Sequence, residues 1–165
     1  MIYMNKMLTR EAAVARYGAI DFASLHWPQA DNWIKLFSVP QGVFQNWKVL
    51  NTQIPVTHIA CNTDLHLPLR MALDAVVNAG RNDELHTFDG AFNIRMVRGS
   101  QTMFSAHSYG LAIDINAASN PLGGPVTISQ ELAMCFTNVG FDWGARFQRM
   151  DGQHFSYCFE GPRPI

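Results

Sequence analysis

Concentrated positive charge is what this sequence lacks first: Lys and Arg total 12 in 165 residues, the net charge is −1, and they nowhere run four together. A nucleic-acid-binding surface needs such a concentration, so none is expected, although Arg95, Arg98, Arg146, Arg149 and Arg163 are free to converge in three dimensions. Cysteine is scarce. Cys61, Cys135 and Cys158 are odd in number, far apart and without a C-x-x-C pair, which excludes a full disulfide framework and a cysteine-rich zinc site. Reduced, mostly buried thiols are the expectation. Long apolar runs are missing too: eighteen apolar residues never follow one another, so a membrane-spanning helix is not expected. Asn5, Lys6, Arg10 and Glu11 interrupt the N-terminus before it can form a signal-peptide core. No internal repeat appears. What is there is ordinary globular material, 48% hydrophobic and 15% charged, enough for one domain with its own core.

The pattern predicts an α+β fold, a small antiparallel sheet with packed helices, in a single domain over 1–165. Residues 1–55 form a loop-rich part and 56–160 the core. A helix is expected over 10–17, capped by Thr9 and stopped by Gly18. Residues 19–55 read as turns anchored by Trp27, Trp33, Phe44 and Trp47, with one helical stretch from Trp33 to Phe37. A short strand is expected over Val56 to Ala60. Leu69, Ala72, Leu73, Val76 and Val77 form the stripe of a helix over 67–79, with Pro68 in its first turn and Gly80 past its end. Residues 81–90 read as a polar connection, and 91–97 as a strand turned by Gly99-Ser100. In GLAIDIN, residues 110–116, Leu111, Ile113 and Ile115 take one side, and Ala112, Asp114 and Asn116 the other. A helix over 129–138, a short FDW strand, an extended run over 153–159 and a Gly-Pro-Arg-Pro tail complete the expectation.

His107, Asp114 and His154 are the residues with chemistry to offer. Two histidines and a carboxylate form a recognised catalytic zinc set with the fourth position left to water. A carboxylate inside LAIDI is costly to bury unless a cation satisfies it. Each also has an ordinary alternative: His107 as a loop residue, Asp114 as a backbone cap or an arginine partner, His154 as a core histidine. H-x6-D alone is not diagnostic. His26, His58, His66 and His86 have no such company, and none is assigned to a metal.

The segment SAHSYGLAIDIN, Ser105 to Asn116, resembles the S-x-H-x-x-G-x-A-x-D signature of the peptidase M15 family, zinc peptidases of bacterial cell-wall peptide. Downstream, GFDWGARF resembles the family's G-F-x-W-G-G-x-W block and DGQHF its D/E-x-x-H-F block. Asn120-Pro121 looks like the endolysin-type branch. The blocks cover roughly residues 92–159. The resemblance implies the M15 fold, one zinc ion per chain on His107, Asp114 and His154, Asp151 as proton acceptor, and a transition-state arginine at Arg95 or, second, Arg98. It implies peptidoglycan peptide as substrate, with an L-alanyl-D-glutamate endopeptidase acting as an endolysin expected first. A D-alanyl-D-alanine carboxypeptidase, or a non-catalytic zinc-containing wall-binding protein, is the alternative. Such an endolysin would be monomeric and would gather in the host or bacterial cytoplasm, reaching the wall after release. Three positions depart from the family: Phe147 for Trp, Ala145 for Gly, and Ser156 where Glu is frequent.

Overall fold

Strand β5 (Ala112–Ile115) shows how the chain sorts its faces. Side chains alternate along a strand, so Ile113 and Ile115 enter the larger core while Ala112 packs into a second, smaller one. Asp114, on the Ala112 side, opens into a cleft. The computed structural model describes residues 9–43 and 46–157. Phe44, Cys158, Arg163, the expected tail and the end of the run over 153–159 lie outside the described residues.

The central sheet has five strands in the order β2 (Lys48–Val49), β4 (Thr87–Gly90), β5, β7 (His154–Ser156), β6 (Asp142–Trp143). All neighbouring pairs are antiparallel except β2 with β4, so the sheet is mixed rather than wholly antiparallel. Helices α3 (Thr63–Asn78) and α4 (Gln130–Thr137) supply Leu65, Leu69, Leu73, Leu132 and Phe136 to the larger core, against Ile113, Ile115, Trp143 and Phe155. A separate two-stranded antiparallel ribbon joins β1 (Ile34–Ser38) to β3 (His58–Asn62). Helix α1 (Arg10–Tyr17) carries Ala13 and Tyr17 into the smaller core with Trp27, Tyr109 and Leu111.

Helix α1 has the expected bounds. Thr9 accepts from the Ala12 N–H, and Gly18 takes φ +86°, a left-handed conformation that costs glycine least. Helix α4 is capped by Ser129, whose hydroxyl accepts from the Leu132 N–H. Other expectations are corrected. The helical stretch expected from Trp33 to Phe37 ends where it was to begin: a four-residue helix α2 (Ala30–Trp33), without a side-chain cap, closes at Trp33, and Ile34 to Ser38 pair with β3 and bury Phe37. The strand expected over Val56 to Ala60 lies two residues later. Helix α3 starts four residues before expected, because Asn62 caps it through the Asp64 N–H; Pro68 sits in its second turn, and Val77 is 38% exposed. Four of the ten residues of the polar connection over 81–90 form strand β4. Its polarity is satisfied locally, with the Asp89 carboxylate accepting from the Thr87 hydroxyl and the Ala117 N–H. The expected strand over 91–97 forms only a bridge between Met96 and Phe104, since its backbone groups bond to the turn that carries His107. Asn116 leaves the strand at φ +54°, its amide accepting from the His86 and Thr87 N–H groups and donating to the Glu84 carbonyl. Cys61 and Cys135 are free, buried thiols. No helix among the described residues is long and apolar enough to cross a membrane.

Candidate metal centre and cleft

Three elements bring three side chains to one point. Asp114 and His154 stand directly opposite each other in the antiparallel β5–β7 ladder, where facing side chains are close enough to interact. His107 enters from a 3-10 turn over Ala106–Tyr109 that Gly110 closes at φ +66°. A Cβ on Gly110 would stand 2.7 Å from Ile34 Cδ1 and 2.9 Å from the Asn62 nitrogen. Both conformation and space therefore demand glycine there. The turn is also held from outside: the Asn62 N–H donates to the Gly110 carbonyl, its side-chain amide donates to the Tyr109 carbonyl, and the Tyr109 hydroxyl donates to the Gly18 carbonyl.

His107 Nε2, His154 Nδ1 and Asp114 Oδ1 form a triangle with all three sides 3.1 Å. Both histidines are buried and Asp114 is partly so. His107 Nδ1 lies 2.9 Å from the Ala91 carbonyl, which can only accept, so this nitrogen carries the proton. In the neutral ring, Nε2 is then a bare lone pair aimed at a carboxylate oxygen and a second imidazole nitrogen. Such a contact is repulsive unless a proton or a metal cation lies among the three atoms, and a metal is the partner that all three can share. Tetrahedral zinc with ligand distances of about 2.0–2.1 Å sets its donors about 3.3–3.4 Å apart, close to the triangle seen. The Ala91 carbonyl is the kind of outer partner that fixes a ligating histidine's tautomer. The donor set fits a zinc ion. Burial works to raise the Asp114 carboxyl, but hydrogen bonds and charge from His107 and His154 outweigh it and hold the group well below the usual carboxylate range.

Asp114 and His154 open into a cleft of about 800 Å³, which Asp151 also lines. Asp151 Oδ1 is buried and has no hydrogen-bond partner among the described residues. Burial pushes its carboxyl up and the charge of Asp114 adds to this, against opposing pulls from His154, His107 and Arg98. Its position depends on Gly144, where a Cβ would overlap the Asp151 backbone and stand 3.1 Å from His154 Cβ. Arg95 lines the same cleft. Its backbone is doubly tied to the turn that carries His107: its N–H donates to Ser108 Oγ (3.0 Å), and that hydroxyl donates back to the Arg95 carbonyl (2.7 Å). Arg98 and Arg149 also line the cleft, whereas Arg146 is exposed and does not. Phe147, which stands where the resemblance has Trp, is a cleft wall with its ring 6.0 Å from that of His154. Ser156 is fully buried opposite Asp142 and does not reach the cleft. His26, His58, His66 and His86 take no part in the donor cluster.

Two contributors were not legible in sequence. Arg10 opens helix α1 and lines the cleft from 97 residues before His107 in the chain, with no local pattern to connect them. Asn120 is fully buried; its side-chain oxygen accepts from the Thr127 and Ile128 N–H groups, and its carbonyl accepts from Gln153. The Asn-Pro pair flagged only the loop that it closes. No curated protein and no solved structure matches the chain. Residues 98–157, which carry all three donors and Asp151, match the M15 peptidase model described as D-alanyl-D-alanine carboxypeptidase.

Proposed function

We propose that this chain is a zinc-dependent peptidase acting on peptidoglycan peptide, and that it removes a terminal D-alanine. The observation that carries the reading is the 3.1 Å triangle of His107, Asp114 and His154 opening into an arginine-lined cleft. The description of the matching family model favours the terminal cut over an internal one. A terminal cut needs fixed cations for the free carboxylate, and guanidinium groups suit that task by bidentate bonding.

His107, Asp114 and His154 would hold the ion. When bound, zinc supplies Lewis-acid polarisation of a carbonyl and a more acidic water. Asp151, with one oxygen free and its basicity raised by burial, takes a proton from the attacking water and returns it to the departing amine. Arg95, fixed through Ser108, stabilises negative charge developing on the carbonyl oxygen, a contribution worth about 3–4 kcal/mol in other enzymes. Phe147 narrows the cleft and limits water at the reacting bond.

A second reading keeps the same site but cuts between L-alanine and D-glutamate, as an endolysin released onto the wall from the cytoplasm. It is favoured by the Asn120-Pro121 loop, whose Leu122 reaches the cleft. A non-catalytic wall-binding protein would leave the free Asp151 oxygen without a purpose. Mass spectrometry of digested peptidoglycan separates the three. Released D-alanine supports the terminal cut, new N-terminal D-glutamate replaces it with the internal cut, and unchanged wall from zinc-loaded protein overturns the peptidase reading.

A further inference from the structure

The cleft carries more positive charge than one carboxylate requires. Arg10, Arg95, Arg98 and Arg149 line it against two aspartates, Asp114 and Asp151, on a chain whose net charge is −1. Among the described residues none of these four arginines is ion-paired. Arg95 is held by Ser108, but Arg10 is exposed and follows Thr9 at the start of α1. A cation there opposes the helix dipole, so stability does not explain it.

The helix is nonetheless firmly placed. At its far end Arg16 and Tyr17 bond to Asp64, the Trp27 indole N–H donates to the Tyr17 carbonyl, and Tyr109 of the turn that carries His107 donates to Gly18. Helix α1 therefore holds Arg10 in a fixed relation to the metal corner, although it lies outside the family match. We infer that Arg10, with Arg98 and Arg149, forms a subsite for a second substrate carboxylate, separate from the one at the scissile end. This rests on the peptidase reading and narrows its substrate to stem peptides carrying a free acidic group upstream of the cut. An amidated stem leaves the guanidinium of Arg10 without its anion and loses a charge-assisted bond.

The test uses the zinc-loaded full chain and a dansylated stem pentapeptide ending in D-Ala-D-Ala, with its D-glutamate carboxylate either free or amidated. Energy transfer from tryptophan to dansyl, read within milliseconds of mixing, reports binding before any turnover. Wild type is expected to bind the free form about 10-fold more tightly than the amidated one. Arg10→Gln should reduce that preference to about 3-fold or less with unchanged affinity for the amidated form, which also reports an intact fold. Arg10→Lys should restore part of it, since lysine keeps the charge but not the fork. Equal binding of both forms by wild type, an undiminished preference in Arg10→Gln, or binding of neither peptide would overturn the inference. Cleavage is scored on the same samples. A preference without cleavage removes the peptidase reading and leaves the subsite, whereas cleavage without a preference removes the subsite alone.

Discussion

The metal corner and the arginine rim of the same cleft are built on opposite principles. At the corner every polar atom is directed: His107 is fixed by Ala91, Asp114 faces His154 across a ladder, and Gly110 and Gly144 leave no room for a side chain. At the rim Arg10, Arg98 and Arg149 are exposed and, among the described residues, not ion-paired. The corner has one arrangement and holds it through buried packing. The rim supplies exposed positive charge with no ion-pair partner among the described residues. The first arrangement suits chemistry, in which a small displacement costs much rate, and the second suits selection among substrates.

The sharpest way to break this contrast is at the donors. His107→Ala and His154→Ala should each take zinc from about one per chain to nearly none, with loss of hydrolysis; metal analysis of the purified proteins checks it. Full occupancy in both variants would dissolve the corner as described. Asp151→Asn should keep the metal and the fold while lowering kcat by about 10²–10⁴-fold. Retained activity with retained zinc would return Asp151 to a purely structural place. Gly110→Ala tests the backbone of the corner: left-handed strain alone is worth about 1–3 kcal/mol, and the close approach to Asn62 adds to it. Denaturant unfolding should show that loss. At the rim, Arg149→Gln should raise KM a few-fold, leave zinc content unchanged and alter stability by about 0.5 kcal/mol or less. A large drop in stability there would make the rim structural.

The same contrast decided what the sequence revealed. His107 and Asp114 lie seven positions apart in one stretch and His154 in another that pairs with it; spacing made them candidates, and the resemblance to the M15 blocks, rather than the strand period, grouped them as one donor set. Helices α1 and α4 were legible because capping and stop signals are local. Strand β1 was not, because its pairing with β3 lies twenty or more residues away and leaves no local signal. Strand β4 was hidden by its own polarity, since Thr87 and Asp89 satisfy each other and leave no alternation to read. The segment over 91–97 does alternate, but its backbone is bonded to Ser108 and His107 instead of to a sheet. Arg10 had no signal at all, because its meaning comes only from where Tyr17, Tyr109 and Asp64 seat its helix.

Asn62 bears on how separable the pieces of this molecule are. One buried residue caps α3 with its side-chain oxygen, holds the Tyr109 carbonyl with its amide and the Gly110 carbonyl with its backbone. A fragment cut to residues 98–157 would keep every donor yet leave those two carbonyls without their partners. Its His107 turn would also lose the strut that runs through α3. The stretch with a recognisable pattern is thus not a portable cassette, and grafting it onto another scaffold requires an asparagine at the corresponding helix start.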